Sequence, residues 1–387
     1  MSVVYSRLSH LSIKIVVLAA AIGMDPGFPA ICAGIVTIDR DMTVAYSQKY
    51  IIVQGMCLVK YVTLKDIAEI AGVSINTVSR ALHDKSDIGI ETKLRIRAIT
   101  EELGYIPDQT AARLRTKKKQ TIGVVITHMN NSFYAHILQG IHDAISRLGY
   151  TMIALGSNEN PDEEQRALVS LKANRVAGLI IVPSQDLINT LDFDQINVPH
   201  ITIVRKGKLN TQSYFITDSH QSGVLVAGRF LDLDRTSPGY IGFDAMVSCN
   251  KDRLVGYKKT MEQSGIALPK EATIHCGSDM RSAYDATKHL LKKKADIDAL
   301  FVYNDYMAIG VLRALHEMRI KVPNDISVIG HDDIDEASML VPALSTVRVP
   351  KYSLGYQSAS RLIHLIEKKD SFSKSVLNTP ELIIRET

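Results

Sequence analysis

The chain has 387 residues, enough for two or more domains, and 46% of them are hydrophobic, as in globular proteins with sizeable cores. Its 22% charged residues and 12 prolines exclude a largely disordered chain. The four cysteines stand apart, without the spacing of metal ligands, which indicates isolated reduced thiols and excludes a disulfide framework or a zinc site.

Residues 1–58 do not fit the pattern of the rest of the chain. Arg7 and Lys14 precede an apolar run over residues 15–22, which weakly resembles a secretory signal peptide and is too short to span a membrane. An exported protein is therefore one interpretation of this segment.

The segment from Thr63 to His83 predicts two short helices. Thr63 can cap a helix over residues 64–71, whose apolar residues recur at spacings of three, four and seven. Gly72 breaks this helix, and Ser74 can cap a second helix that ends near residue 82. One face of the second helix packs, while the other presents Ile75, Asn76, Ser79, Arg80 and His83. Such a pair predicts a helix-turn-helix that binds the DNA major groove, although an ordinary helical hairpin has the same spacing.

The next segment completes a basic headpiece. A third helix is predicted over residues 91–103, with Gly89 as a weak cap, followed by a short helical stretch over residues 108–115 and the basic run 117–119. Residues 60–119 contain 12 Lys and Arg against 8 Asp and Glu, a net charge of +4 that equals the net charge of the whole chain. This charge favours contact with DNA phosphates in this segment.

From residue 121 onward, short apolar runs alternate with amphipathic helices, which predicts parallel sheets covered on both faces. A first set of strands is expected at residues 122–126, 152–155, 178–182 and 201–204, and a second at 240–243, 272–275, 299–303 and 326–329. A late helix over residues 352–368 would return to the first set, and a last strand is expected at 382–385. The predicted fold is an all-α helix-turn-helix headpiece followed by a two-lobed α/β core.

Polar residues follow several of these strands, where ligands of parallel sheets bind. They are Asn131 and Tyr134 after the first strand, Asn304 after strand 299–303 and Asp332 after strand 326–329. Amides and carboxylates in such places can bind hydroxyl groups or simply cap helices, and capping is the favoured role of Asn131. Asp218 is expected to be a cap where the chain crosses between the lobes.

Residues 63–68 (TLKDIA), 71–74 (AGVS) and 77–80 (TVSR) closely resemble the headpiece of the LacI/GalR family of bacterial transcription regulators. The resemblance extends to the C-terminus and implies a periplasmic-binding-protein-like core. It implies a homodimer that binds operator DNA, controlled by a small-molecule effector, such as a sugar, in the cytoplasm and on the nucleoid. Because family members begin shortly before the first helix, translation is expected to start near Met56, Leu58 or Val59, and the segment before it to be absent from the cell.

The resemblance also implies roles for individual residues. Contacts to base edges are assigned to Ile75, Asn76 and Arg80, and contacts to phosphates to Ser74, Thr77 and Ser79. Thr63 and His83 are the other headpiece residues predicted to bind DNA. Ala111 and Leu114 occupy the small and wedge positions of a hinge helix that enters the minor groove. The family arginine that faces the cleft is matched by Arg253, and the predicted effector site comprises Asn131, Tyr134, Arg253, Asn304 and Asp332.

The expected domains are an extension of doubtful reality at 1–58, a headpiece at 59–106, a hinge at 107–120 and a core at 121–387. The alternative is an exported solute-binding protein of a transport system, which shares the two-lobed core but has no use for a DNA-binding headpiece. An enzyme is the third possibility, but the sequence has no P-loop, G-x-S-x-G or H-E-x-x-H motif. No catalytic residue, metal or cofactor is therefore predicted.

Overall fold

The computed structural model describes residues 62–105, 120–184, 198–206, 213–245, 247–293, 296–368 and 375–387, together with the course of four strands before them. The chain divides into two compact units, residues 1–117 and 118–387. Among the described residues, no helix is both long and apolar enough to cross a membrane.

The four N-terminal strands form an antiparallel sheet in which each strand pairs with the next. They are β1 (Gly34–Asp39), β2 (Met42–Tyr46), β3 (Tyr50–Val53) and β4 (Met56–Val59). None of these strands was predicted from the sequence.

The headpiece contains the three expected helices, α1 (Leu64–Ala71), α2 (Ile75–Leu82) and α3 (Ile90–Glu102). They enclose a small core whose buried members are Ile67, Ala68, Ala71, Val78, Ala81 and Ile96. Apolar residues at helical spacing on α1 and α2 thus meet Ile96 of α3, with the partly buried Ile99 of α3 packed against the same core. The polar face of α2 remains outside this core.

The predicted ends of α1 and α2 are confirmed by their caps. Thr63 Oγ1 accepts a hydrogen bond from the Asp66 amide at 3.3 Å, and the Thr63 amide donates to the Asp66 carboxylate at 2.8 Å, so the two residues form a capping box. Gly72 ends α1 at φ 64°, a left-handed conformation that glycine adopts without strain. Ser74 Oγ accepts from the Thr77 amide at 3.1 Å and starts α2.

The first lobe of the core is a six-stranded parallel sheet in the order β15-β9-β8-β7-β5-β6. Its strands are β5 (Thr121–Ile126), β6 (Thr151–Gly156), β7 (Gly178–Ile181), β8 (His200–Ile203), β9 (Tyr214–Thr217) and β15 (Val376–Asn378). Its helices are α4 (Ser132–Ser146), α5 (Pro161–Ala173) and α10 (Lys351–Ile366). The helix predicted to return late to this lobe is α10, which packs closely on α4.

The second lobe is a four-stranded parallel sheet in the order β11-β10-β12-β13. Its strands are β10 (Pro238–Phe243), β11 (Thr273–Cys276), β12 (Ala299–Val302) and β13 (Ser327–Ile329), and its helices are α6 (Ser219–Asp232), α7 (Ser248–Gln263), α8 (Met280–Lys293) and α9 (Asp305–Glu317). Gly223 and Gly256 let α6 and α7 touch, because a Cβ at either position would lie within 2.2 Å of the other helix's backbone.

The described chain passes between the lobes three times, from β9 to α6, from β14 (Thr346–Arg348) to α10, and from β15 to β16 (Glu381–Ile383). β14 and β16 pair in antiparallel fashion. Asp218 caps α6 by accepting a hydrogen bond from the Gln221 amide at 2.9 Å, as predicted, and its own amide donates to the Asn378 carbonyl at 2.9 Å. Two of the passages are thereby tied to each other.

Candidate functional site

The polar face of α2 is exposed as the helix-turn-helix interpretation requires. Ser74, Ile75, Asn76, Arg80 and His83 are exposed, whereas Val78 and Ala81 face the headpiece core. Ile75 leaves 48% of its surface open to solvent, which is a large apolar area for an outward position. An aliphatic side chain beside an amide and a guanidinium provides both kinds of contact that read base edges in the major groove.

Arg80 is held in place by Asp87, which the sequence analysis did not single out. The Arg80 Nε donates to Asp87 Oδ2 at 2.8 Å, and its Nη2 lies 2.7 Å from Asp87 Oδ1. This ion pair raises the pKa of Arg80 and lowers the pKa of Asp87. The pair uses the side edge of the guanidinium, formed by Nε and one N–H of Nη2. The end edge, formed by Nη1 and the other N–H of Nη2, stays available for a second bidentate contact.

Four other predicted headpiece residues have internal partners. The Thr63 hydroxyl is engaged with Asp66, and the Ser74 and Thr77 hydroxyls lie 2.9 Å apart. The His83 ring contacts the Ser79 carbonyl through Nδ1 at 2.7 Å, which closes the last turn of α2. Ala111 and Leu114, predicted for the hinge helix, lie outside the described residues.

The five predicted effector residues come together in one cavity between the two lobes. The enclosed cavity volume is about 40 Å³, and the space between the walls is about 420 Å³ when the open solvent at the mouth is included. Its lining consists of Thr127, His128, Asn131, Phe133, Tyr134, Glu159, Val204, Arg205, Cys249, Arg253, Ser278, Tyr303, Asn304 and Asp332. Most of these residues follow strands of the two sheets, so the cavity lies at the carboxyl ends of the strands, where parallel sheets bind ligands.

Two of the predicted effector residues act first as helix caps. Asn131 Oδ1 accepts a hydrogen bond from the Phe133 amide at 3.0 Å, and Asn304 Oδ1 accepts from the Met307 amide at 2.9 Å. The capping role predicted for Asn131 is confirmed. In each case the side-chain amide nitrogen is still free to donate, since the cap uses only the oxygen.

Tyr134 and Arg253 are fixed by buried contacts at the cavity. The Tyr134 hydroxyl lies 2.7 Å from Thr127 Oγ1, and burial raises the pKa of the phenol. Arg253 donates through Nη1 to the Tyr303 carbonyl, and its guanidinium carbon lies 4.9 Å from the centre of the Tyr303 ring. Within the described part of the chain the buried Arg253 Nε has no hydrogen-bond partner. That orphan donor makes Arg253 a candidate ligand contact.

The cavity also contains a buried ion pair that the sequence analysis missed. Arg205 Nη1 and Nη2 each lie 2.7 Å from a carboxylate oxygen of Glu159, and Nη1 also donates to the Pro183 carbonyl at 2.9 Å. The side chains of Arg205 and Glu159 are 5% and 9% exposed. His128 and Ser278, which were also missed, meet across the lobes at 3.0 Å. All four residues closely follow strands, so the rule that found Asn304 and Asp332 would have found them too.

Asp332 carries a carboxyl group whose ionisation is finely balanced. It is buried at φ 119°, and burial raises the pKa of its carboxyl to about 7, against the lowering effect of Arg253, Lys351 and Arg205. Asp332 can therefore either donate or accept hydrogen bonds near neutral pH. Among the described residues, no group of three or more His, Cys, Asp or Glu side chains is placed to hold a metal ion.

Comparison with known proteins finds family matches in both units. Residues 63–108 match the family model of bacterial regulatory proteins of the lacI family, and residues 227–387 match a periplasmic binding protein-like domain. The chain is 30% identical over 329 residues to the HTH-type transcriptional repressor PurR of Photobacterium profundum, covering 84% of this chain and 98% of that protein. It is 30% identical to the ribose operon repressor of Halalkalibacterium halodurans, covering 84% of this chain and 96% of that protein.

Solved structures agree with these relatives. The lac repressor dimer bound to operator and the anti-inducer ONPF superimposes with a TM-score of 0.74 at 27% identity, covering 85% of this chain and 99% of that one. The matches confirm the predicted resemblance and favour a regulator over an exported solute-binding protein. The chain belongs to the LacI family of bacterial regulatory proteins, and it is a DNA-binding transcriptional regulator controlled by an effector.

Proposed function

We propose that this chain is a repressor that binds a pseudo-palindromic operator as a homodimer and responds to a small, hydroxyl-rich effector of the sugar type. The observation that carries the DNA half is the exposed polar face of α2 with Arg80 held by Asp87. A two-fold dimer presents this face twice, so that two half-sites are read together. Such a protein works in the cytoplasm and on the nucleoid.

Individual roles follow from the chemistry of α2. The end edge of Arg80 suits the O6 and N7 atoms of guanine, Asn76 suits adenine, and Ile75 suits a thymine methyl group. Ser74 and Thr77 lie at the N-terminus of the helix, where backbone amides and hydroxyls suit phosphates, and the Ser79 hydroxyl is assigned to phosphates as well. Ala111 and Leu114 keep their predicted roles in the minor groove. Thr63 and His83 support the helices through the contacts already described.

The sugar-type effector is supported by the composition of the cavity. Asn131, Arg253, Asn304 and Asp332 offer donors and acceptors, and Tyr134 contributes an aromatic wall beside them. Polyhydroxylated ligands need paired donors and acceptors of this kind. A relative that is 30% identical carries the name ribose operon repressor, which agrees with a sugar. Binding between the lobes changes operator affinity because the ligand binds two arrangements of the lobes unequally.

The DNA half is tested by selecting duplexes from a random library with the full chain at fixed salt. The wild type is expected to enrich a two-fold symmetric sequence. Arg80→Ala should lose guanine preference at one position of each half-site, at a cost of about 1–3 kcal/mol. Arg95→Ala is the matched control, since Arg95 is an exposed arginine on α3 whose loss should weaken all sequences alike. An unchanged sequence preference in Arg80→Ala would remove Arg80 from the readout.

The effector half is tested by thermal unfolding with a panel of neutral mono- and disaccharides that includes D-ribose. At least one sugar is expected to raise the melting temperature of the wild type, because a ligand that binds only the folded state stabilises it. The same sugar should have no effect on Arg253→Ala or on Asp332→Asn. If no sugar stabilises the wild type, the effector belongs to another chemical class.

A further inference from the structure

Asp332 is the first member of a buried row of hydrogen bonds that ends at a passage between the lobes. Asp332 Oδ1 lies 2.9 Å from His331 Nδ1, and His331 Nε2 lies 3.2 Å from Ser222 Oγ. Ser222 Oγ in turn lies 2.9 Å from the carbonyl oxygen of Asp218, the cap of α6. His331 and Ser222 are 2% and 0% exposed. The row therefore joins the effector cavity to the passage from β9 to α6 through side chains that are almost entirely buried.

The number of protons in this row is restricted by its geometry. Ser222 has one hydroxyl proton and two neighbouring acceptors, the Asp218 carbonyl and His331 Nε2. If the hydroxyl proton points to the Asp218 carbonyl, His331 Nε2 must carry a proton and donate it to Ser222 Oγ. A neutral ring then has no proton on Nδ1, so the hydrogen bond between Asp332 Oδ1 and His331 Nδ1 must use a proton carried by Asp332. If Asp332 is ionised, the proton of the neutral His331 ring lies on Nδ1 and is donated to the Asp332 carboxylate. Nε2 is then an acceptor, so the Ser222 hydroxyl must turn from Asp218 and donate to Nε2.

The surroundings favour the first arrangement below neutral pH. Burial raises the pKa of Asp332 to about 7 and lowers the pKa of His331 well below its ordinary value, so both groups prefer their neutral forms. The charged groups near the pair are Arg253 on α7, Lys351 on α10, Asp305 on α9, Asp218 at the start of α6, and Arg205 and Asp333 in loops. The cations partly offset the burial of Asp332 and also oppose a charged His331.

We propose that effector binding at Asp332 expels one proton from the Asp332–His331 pair and turns the Ser222 hydroxyl from Asp218 to His331. Sugar hydroxyls donate best to an ionised carboxylate, so they select the form without the proton. In this step the Asp332 proton passes to His331 Nδ1, the proton on Nε2 leaves to water, and Ser222 donates to the freed Nε2. His331 and Ser222 are thus positioning residues, which act on the ligand through Asp332.

The consequence is a change at the first turn of α6. The Asp218 carbonyl loses the Ser222 hydroxyl and keeps the Ser222 amide at 3.0 Å. Asp218 also connects to the third passage through its amide and Asn378. Ligand binding in the cavity therefore changes the hydrogen bonds of Asp218, where the chain crosses between the lobes. This link to regulation rests on the proposed function, whereas the proton rearrangement itself can be measured without effector or operator.

The rearrangement is tested by solid-state NMR of the full chain labelled with ¹⁵N-histidine, titrated from pH 5.5 to 8.5. His331 is assigned by the signal that is missing in His331→Gln. We expect His331 to change from the Nε2-protonated to the Nδ1-protonated tautomer with a midpoint near pH 7 and without a doubly protonated ring. A single tautomer throughout, or an imidazolium at the acidic end, overturns the proposal.

Ser222→Ala tests the far end of the row. Without the hydroxyl, His331 Nε2 has no partner in either arrangement. An unpaired N–H donor in the protonated arrangement costs more than an unpaired nitrogen acceptor in the deprotonated one, so the midpoint pH of the tautomer change should fall below the wild-type value. A purely structural role for Ser222 would leave the midpoint unchanged, and that result would overturn its part in the proposal.

The effector arm uses D-ribose as the probe, in calorimetry at pH 6.0 and pH 8.5 with buffers of different ionisation enthalpy. We expect release of up to one proton per chain at pH 6.0 and none at pH 8.5, with an affinity that rises up to tenfold per pH unit below pH 7. Binding at pH 6.0 without proton release overturns the proposal. If D-ribose does not bind at all, that result counts against the proposed effector class, and the tautomer titration decides the proposal.

Discussion

Replacing Glu159 by alanine should destabilise the core strongly, although this residue lies in the wall of a ligand cavity. Glu159 holds both terminal nitrogens of Arg205 at 2.7 Å, in a pair whose side chains are 5% and 9% exposed. After the change, Arg205 would keep one described hydrogen bond, to the Pro183 carbonyl at 2.9 Å. A guanidinium that cannot lose its charge would then be buried without a hydrogen-bonded counterion.

The magnitude follows from the cost of an unpaired buried charge. Removing one partner of a buried ion pair costs about 3–5 kcal/mol, and we expect the lower end, about 3 kcal/mol, because water can enter through the cavity. Glu159→Gln keeps one acceptor for Arg205 and should cost less, about 2 kcal/mol. The double change Glu159→Met with Arg205→Met removes both charges and should recover most of the loss, since apolar replacements of a buried pair are often neutral.

The assay is equilibrium unfolding in urea followed by far-ultraviolet circular dichroism, with the core transition analysed separately from the headpiece. With an m-value of about 3 kcal/mol/M, a loss of 3 kcal/mol lowers the core midpoint by about 1 M. A loss below about 1 kcal/mol in Glu159→Ala would show that the pair is solvated in solution. An equal loss in the double variant would show that packing, and not the unpaired charge, is responsible.

Three further predictions concern single side chains. Ser74→Ala removes the cap of α2 and should lower the free energy of unfolding of the headpiece by about 1 kcal/mol; an unchanged headpiece melting temperature would contradict this. Asp87→Ala should leave headpiece stability almost unchanged, as expected of an exposed pair. It should nevertheless relax guanine preference at the Arg80 position, and an unaltered preference in duplex selection would show that Arg80 needs no support. Burial raises the pKa of Asp305 to about 7, so its stabilising effect is present at acidic pH and is lost as the pH rises through 7. Asp305→Asn should therefore flatten the dependence of melting temperature on pH between 4.5 and 7.5. An equally steep dependence in this variant would contradict the assignment.

Local signals gave the parts of the fold that depend on neighbours in sequence. Thr63, Gly72 and Ser74 start and end their helices because the capping groups lie within a few residues, and the structure confirms each of them. Long Val- and Ile-rich runs were enough to find the buried strands of both lobes. The short strands β9, β14 and β15 were missed, since three or four residues carry too little pattern to separate a strand from a loop.

Partners distant in sequence could not be predicted from local pattern. Arg205 and Glu159 are 46 residues apart and meet only because β6 and β8 end at the same edge of one sheet. Ser222 and His331 are 109 residues apart and join only when α6 packs beside the passages between the lobes. Asp87 was missed for a different reason, because an acidic residue after a DNA-reading helix is expected to repel phosphates unless its charge is used to hold an arginine.

The central claim, that two copies of the α2 face read one symmetric operator, is tested most directly by native mass spectrometry of the full chain on the duplex recovered from selection. We expect a complex of two chains and one duplex whose sequence has two-fold symmetry. One chain per duplex, or a recovered sequence without symmetry, would contradict it.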